Sequence, residues 1–190
     1  MDVLGIFSAF GLSASAGLNA YIPLLAVALL GKFTNLIHLE EPWSALTSWW
    51  VIGLLLVLSL IEFFADKVPA VNHVNDVIQT FVRPAAGAIV FAASARAITD
   101  VHPVLAMALG LMVAGSVHGV KTLAVRPAVT ATTAGIGNTP VSMAEDAVST
   151  VVSILSLVVP VLIACLMVLV TAWIIWLLLR RHNRELHSRP

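Results

Sequence analysis

Long apolar runs, interrupted by glycine, proline and a few polar residues, dominate the chain and predict membrane-spanning helices. The first uncharged run covers residues 3–31 and contains Gly17, Asn19 and Pro23, so we expect a span that is bent or broken near residues 17–23. A second apolar run begins at Trp49 and ends near Phe64, and its paired tryptophans are typical of a membrane interface. These runs predict two spans in the first third of the chain.

The central part of the chain combines a helical pattern with a break signal. Apolar residues at positions 71, 74, 77, 78 and 81 share one helical face, which predicts an amphipathic helix that lies in the membrane interface or lines a cavity. The uncharged stretch 84–95 would reach only about 18 Å as a helix, which is too short for a span. We therefore expect a broken membrane element hinged at Pro84, unless one flanking arginine extends to the headgroups.

The C-terminal half begins with an uncharged run over residues 101–120 that is long enough to cross a membrane. Residues 122–140 are rich in threonine, glycine and proline, which predicts either a re-entrant or unwound segment buried in protein or a solvated loop. Ser142 and Glu145 have the spacing of a capping box at the start of the final helix. Because the uncharged run 147–179 exceeds one span, we expect Pro160 to kink it.

Composition places the chain among integral membrane proteins, since 59% of its 190 residues are hydrophobic, 11% are charged and its mean hydropathy is +1.00. We predict the all-α class, a polytopic helical bundle of five or six spans with broken or re-entrant elements near Arg83–Pro84 and Arg126–Asn138. Residues 1–179 would form a single transmembrane domain. The arginine-rich residues 180–190 predict a cytoplasmic C-terminal tail at the cell's inner (plasma) membrane.

Several classes of function lack a sequence signal. The net charge is zero, which argues against nucleic acid as a partner. Cys165 is the single cysteine, so one chain cannot build a disulfide or a cysteine zinc site, and no metal site or cofactor is expected. No catalytic motif occurs, so we do not predict an enzyme, although an intramembrane enzyme acting on lipid is a minor alternative.

The tetrapeptide Val-Arg-Pro-Ala occurs twice, at residues 82–85 and 125–128. An arginine held near a helix break can bind phosphate or carboxylate bidentately, whereas the plain alternative is an interfacial arginine whose proline starts a helix. Threonines after the second copy could contact the same ligand or simply cap neighbouring helices. The predicted substrate-binding residues are Arg83, Lys121, Arg126, Thr130, Thr133 and Asn138.

A second group of charged residues lies near the predicted span ends, with Glu62 inside an apolar run. These side chains could form ion pairs that offset burial of the arginines, or carry protons or cations, and solvated anchors are the competing interpretation. The histidine of this group is a candidate proton relay, although a lone histidine more often satisfies local hydrogen bonds. The predicted coupling or ion-pair residues are Glu62, Asp66, Lys67, Asp76 and His118.

Longer strings at residues 11–23, 62–69, 75–84, 118–121 and 126–133 resemble a bacterial membrane-protein family catalogued as the domain of unknown function DUF4126. The resemblance covers nearly the whole chain. It implies a helical membrane protein and supplies neither an activity nor site residues.

These features predict a small membrane transporter or permease for an anionic solute or a phosphate-bearing lipid headgroup, with proton or cation coupling as an option. One alternative is a homo-oligomeric ion channel, in which a stripe of Ser149, Ser153 and Ser156 would line a shared pore. Another is a non-catalytic membrane assembly or structural protein. The expected partners are membrane lipids, a small anionic solute or ion, and further copies of the chain.

Overall fold

A computed structural model describes residues 3–34, 37, 39–66, 69–96, 101–158, 166–174, 176 and 180, and these residues form helices and turns without a strand. Up to residue 158 the described α-helices are α1 (Val3–Leu18), α2 (Tyr21–Phe33), α3 (Trp49–Ala65), α4 (Pro69–Arg96), α5 (Pro103–Val120), α6 (Arg126–Thr133) and α7 (Asn138–Val158). A 3₁₀ helix covers Trp43–Thr47, a π-helical turn covers Lys121–Val125, and residues 166–174 are helical. The predicted all-α class is confirmed.

The first apolar run is broken where the sequence predicts it, between α1 and α2. The Asn19 side chain accepts hydrogen bonds from the backbone N–H groups of Tyr21 and Ile22, both at 3.1 Å, and so satisfies the first turn of α2. Its amide nitrogen donates to Asp146 Oδ1 of α7 at 3.0 Å. The side chain of Asn19, which lies between α1 and α2, therefore caps the start of α2 and connects this break to α7.

Helix α4 corrects the prediction of a break at Arg83–Pro84, because it continues through the proline to Arg96. A proline inside a helix removes one backbone hydrogen bond, and in membrane helices packing against neighbours compensates for that loss. Here α1 and α5 pack along α4. The predicted amphipathic helix is the first part of α4, and Arg83 is fully buried instead of extending to headgroups.

Small residues allow α1, α4 and α5 to approach closely. A Cβ atom on Gly87 of α4 would overlap Ala114 of α5, and one on Gly110 of α5 would overlap the Gly87 carbonyl. Ser13 Oγ of α1 donates to the Gly110 carbonyl at 2.7 Å. Such backbone proximity is typical of membrane helix pairs, which lack a hydrophobic driving force and depend on van der Waals packing.

The segment after α5 differs from the unwound or loop structure expected for residues 122–140. The chain passes through the π-helical turn into α6, which begins at Arg126 with Pro127 in its first turn. The interruption is confined to the turn before α7, where Ala134 and Gly135 have φ angles of 52° and 88°. Pro127 is tolerated because the first N–H groups of a helix lack intrahelical partners anyway.

Helix α7 begins at Asn138, so the predicted capping box at Ser142 and Glu145 is wrong. Both residues lie within the helix, and their side chains bind residues of other elements. The serine stripe on the same helix faces α1, with Ser15 Oγ bonded to Ser149 Oγ at 2.8 Å and to Ser153 Oγ at 2.7 Å. These buried hydroxyls join two helices of one chain, which is a use of small polar residues expected in membrane bundles.

The distribution of polarity is inverted relative to a water-soluble protein. Large apolar side chains such as Trp50, Phe81 and Leu123 are exposed, whereas Glu62, Arg83 and Lys121 are buried. Stretches 75–95, 103–133 and 138–158 are long and apolar enough to cross a membrane, and α1, α2 and α3 contain shorter apolar helices. The chain is therefore a helical membrane protein. Lys67, Pro160, Cys165 and residues 181–190 lie outside the described residues.

Candidate functional site

Ionisable side chains from five helices and the π-helical turn converge on one buried region, which we call the charge cluster. Helices α3 and α4 enclose it on one side, and the segment from α5 to α7 encloses it on the other. Its members are Glu62, Asp66, Asp76, Arg83, His118, Lys121, Arg126 and Glu145.

Arg83 is the most deeply buried member, with no exposed surface. Its Nη2 and Nε atoms donate to Glu62 Oε1 at 2.9 and 3.3 Å, and its Nη1 atom lies 3.2 Å from His118 Nδ1. Because a guanidinium can only donate, Nδ1 must accept, and the imidazole is assigned as neutral with its proton on Nε2. That Nε2 atom lies 3.3 Å from Thr80 Oγ1, so His118 connects Arg83 to Thr80.

Asp66 is the shared partner of both repeat arginines. Its Oδ2 atom lies 3.3 Å from Arg126 Nη2 and 3.8 Å from Arg83 Nη2. The same oxygen accepts a hydrogen bond from Ser142 at 3.0 Å, and Oδ1 accepts one from Asn75 at 2.7 Å. The two copies of Val-Arg-Pro-Ala thus converge on one carboxylate, because Asp66 follows the end of α3 between the helices that carry them.

Lys121 is the first residue of the π-helical turn, and it lies next to the C-terminal end of α1. Its Nζ atom is 2.7 Å from Glu145 Oε2 of α7 and 3.2 Å from the carbonyl oxygen of Leu18, the last residue of α1. A lysine at this position is favourable because the C-terminal carbonyls of a helix carry partial negative charge. Glu145 Oε2 is also 3.9 Å from Arg126 Nη2, so the carboxylate lies between two cations.

A polar cavity of about 650 Å³ opens beside the charge cluster. Arg126 and Asp76 lie in its wall as an ion pair, with Nη1 and Oδ2 2.7 Å apart. Hydroxyl and amide groups from α4, the π-helical turn and α6–α7 complete its polar surface. The lining residues are Asp76, Val77, Thr80, Thr122, Arg126, Pro127, Thr130, Ala131 and Asn138.

A second, mostly apolar cavity of about 660 Å³ lies on the other side of the π-helical turn. Lys121 and Val125 of the turn line this apolar cavity, whereas Thr122 and Arg126 line the polar one. Apolar residues of α5 and α7 supply most of the remaining wall, namely Val117, Val120, Val141, Ala144 and Val148, and Lys121 with Glu145 supplies its charged part. The turn is therefore the partition between two cavities, and the ion pairs of the charge cluster reach both.

Comparison with models of known protein families shows to which family this chain belongs. The model of the domain of unknown function DUF4126 matches residues 6–180. The chain belongs to the DUF4126 family. This confirms the resemblance carried by the sequence motifs. Neither the curated proteins nor the solved structures contain a match to the chain.

In this DUF4126 protein the predicted substrate-binding residues separate into three environments. Arg126, Thr130 and Asn138 line the polar cavity, and Thr130 and Asn138 are hydrogen bonded to each other at 3.0 Å. Arg83 and Lys121 do not line that cavity, because ion pairs with Glu62 and Glu145 hold them in the charge cluster. Thr133 accepts a hydrogen bond from the Gly137 N–H at 2.9 Å, so it has the capping role that the sequence left as its alternative.

The predicted coupling residues are brought together, apart from Lys67, which lies outside the described residues. Glu62, Asp66 and His118 all contact or approach Arg83, and Asp76 pairs with Arg126 in the wall of the polar cavity. The ion pairs with Glu62 and Asp66 balance the burial of Arg83.

Sequence reasoning missed Glu145, Ser142, Thr80 and Thr122 as members of the site. Positions 142, 145, 149, 153 and 156 follow helical spacing, and this polar face of α7 is the signal that could have assigned Ser142 and Glu145 to the protein interior. The two threonines carry no comparable signal. They line the cavity because α4 and the π-helical turn lie side by side.

Proposed function

We propose that this protein is a small membrane transporter or permease that binds an acidic group of its solute at Arg126 in the polar cavity. The observation that carries the proposal is the position of Arg126, whose side chain retains 11% exposure while it is held by Asp66 and Asp76. An arginine oriented by neighbours in a cavity is suited to a carboxylate or phosphate. Thr130 and Asn138 supply further hydrogen-bonding groups in the same wall.

Charge balance supports coupling to a positive charge. Among the residues that the structure describes, the charge cluster contains three cationic side chains, Arg83, Lys121 and Arg126, and four carboxylates, those of Glu62, Asp66, Asp76 and Glu145. An added anion makes this buried region more negative, which is costly where the dielectric constant is low. In the proposed cycle a positive charge therefore accompanies the acidic group, and protonatable side chains connected through His118 and Thr80 are suited to provide it.

The broken helices support movement of a solute past the charge cluster. The break between α1 and α2 lies next to the π-helical turn, where Lys121 contacts both Leu18 and Glu145. Discontinuous helices surround the binding sites of many transporters. One cavity lies on each face of the π-helical turn, so the proposed route passes this turn as its ion pairs open and re-form.

The proposal includes the inner (plasma) membrane as location, with several spans and a cytoplasmic C-terminus. It rests on the arginines at positions 180, 181, 184 and 189, which follow the last apolar run. The serine stripe gives the channel alternative no support, because those hydroxyls bond α7 to α1 within one chain.

The proposal is tested by thermal unfolding of the purified protein in detergent with phosphate, carboxylates, amino acids and phosphorylated headgroups. We expect at least one solute with an acidic group to raise Tm, and Arg126→Gln to abolish that rise. Arg180→Gln is the matched control, because it removes an exposed arginine beside Trp176 that does not line the cavity. The stabilising solute is then tested for uptake into proteoliposomes.

A second pair of variants keeps the test valid if Arg126→Gln does not fold. Thr130→Val removes a cavity hydroxyl, whereas Thr132→Val changes the same helix at a hydroxyl that bonds the Ala128 carbonyl outside the cavity lining. We expect the first to weaken the solute effect and the second to leave it unchanged. A solute response that survives in Arg126→Gln and Thr130→Val alike, or no response to any probe, would overturn the proposed binding site.

A further inference from the structure

The polar cavity presents a cation and an anion side by side. Arg126 Nη1 and Asp76 Oδ2 are 2.7 Å apart in its wall, and the Asp76 side chain is 21% exposed. The other oxygen of this carboxylate, Oδ1, is buried and has no hydrogen-bond partner among the residues that the structure describes. Asp76 therefore retains accepting capacity in addition to its contact with Arg126.

A purely anionic ligand is a poor match to this pair. It would compete with Asp76 for the Arg126 guanidinium, and displacement would leave the Asp76 carboxylate without its cation in a region that already contains more carboxylates than cations. Removing one partner from a buried ion pair is strongly unfavourable, because the remaining charge is uncompensated. A ligand that carries both charges can give each member of the pair a new partner while the total charge of the cavity stays constant.

We infer that the solute is a zwitterion, with its acidic group bound by Arg126 and a primary ammonium group of the same molecule bound by Asp76. This inference rests on the proposed function and deepens it, since the compensating positive charge becomes part of the solute. Asp66 keeps the Arg126 guanidinium in place from the side, at 3.3 Å, when Asp76 turns to the ammonium. Val77, Pro127 and Ala131 give the carbon skeleton an apolar wall.

The shared chemistry of ammonium next to an acidic group occurs in free amino acids and in phosphoethanolamine, which is also a lipid headgroup. Thermal unfolding of the wild-type protein is measured at neutral pH with alanine, propionate and ethylamine. Alanine carries a carboxylate and an ammonium group, propionate carries only the carboxylate, and ethylamine carries only the ammonium group. Glycerophosphoethanolamine, whose phosphodiester carries one negative charge, dimethyl phosphate as the phosphate probe, and ethanolamine form the second matched set. We expect the zwitterion of at least one set to raise Tm by about 2 °C or more and the single-charge probes to have no effect.

Asp76→Asn tests the ammonium partner directly. It retains the size of the side chain and removes its charge, so we expect binding of the zwitterion to weaken by about 30-fold or more. Propionate or phosphate should now bind better than to the wild type, because Arg126 has lost a competing carboxylate. Glu40→Gln is the charge control on an exposed loop and should leave both responses unchanged.

The outcomes separate this inference from the proposed function. If propionate or phosphate stabilises the wild type as well as the matching zwitterion does, and Arg126→Gln abolishes the effect, the inference of a zwitterionic solute is overturned. The proposed binding of an acidic group at Arg126 is then retained. Unchanged binding of the zwitterion to Asp76→Asn would also overturn the inference of a zwitterionic solute without affecting the proposed site at Arg126. If no probe of either set shifts Tm, or if Arg126→Gln responds like the wild type, both proposals fail. A response to only one set identifies whether the solute is of the amino-acid or the phosphoethanolamine type.

Discussion

Glu62 and Arg83 form the most deeply buried ion pair among the described residues, with side-chain exposures of 1% and 0%. A charge at this depth persists only if a partner and hydrogen bonds replace its hydration. Arg83 has both, because Glu62 accepts from two of its nitrogens and His118 accepts from a third. The pair therefore has a structural role that can be separated from the proposed binding of a solute at Arg126.

We predict that Arg83→Met and Glu62→Gln each destabilise the protein by about 3–5 kcal/mol, since each disrupts the pair and leaves a buried polar or charged group without its partner. The double variant Arg83→Met/Glu62→Met should be less destabilised than Arg83→Met alone, because apolar side chains of similar size replace both charges. Thermal unfolding in detergent measures the effects. If Arg83→Met and the double variant lost the same stability, the conclusion that the ion pair mainly offsets the cost of burying its own charges would be wrong.

Among the helices, the contact between α4 and α5 depends on glycine, but not every glycine of α5 is needed for packing. A Cβ on Gly110 would meet the Gly87 carbonyl, Phe91 and Ala88 of α4. A Cβ on Gly119 would have no neighbour within 4 Å. The same substitution at these two positions of one helix thus separates packing from helix propensity.

We predict that Gly110→Ala destabilises the fold by about 1–3 kcal/mol, because the added methyl group pushes α4 away from α5. Gly119→Ala should be neutral or stabilising by up to about 1 kcal/mol, because alanine favours a helix and has room there. Thermal unfolding together with the elution profile in detergent measures both variants. If Gly110→Ala were as stable as Gly119→Ala, the close approach of the two helices would be wrong.

The molecule as a whole exposes large apolar side chains and buries the core of the charge cluster, which is the arrangement expected of a protein surrounded by a membrane. We predict that a tag at the C-terminus is inaccessible from outside intact cells, because the arginines after the last apolar run favour the cytoplasmic side. An N-terminal tag in the same assay distinguishes five spans from six. A C-terminal tag that reacts in intact cells would contradict the predicted orientation.

Some of the fold and part of the site could be predicted because their signals are local in sequence. The apolar composition required a membrane protein, and Asn19 beside Gly17 and Pro23 marked a true break because its side chain caps the next helix within three residues. The repeat marked two arginines that approach one shared carboxylate, Asp66. Pro84 misled, because its local helix-breaking tendency was outweighed by α1 and α5 packed against α4.

By itself the sequence determined the helical membrane class and which residue types had to be kept from lipid, since both follow from the composition and the spacing of polar positions. Only the tertiary structure decided that Arg126 lines a cavity and that Arg83 is completely buried. The partners of Arg126 are Asp66, Asp76 and Glu145, which are distant along the chain and reach it only after α3, α4 and α7 pack together. Ion pairing in a bundle is a property of helix packing, and no local pattern encodes it.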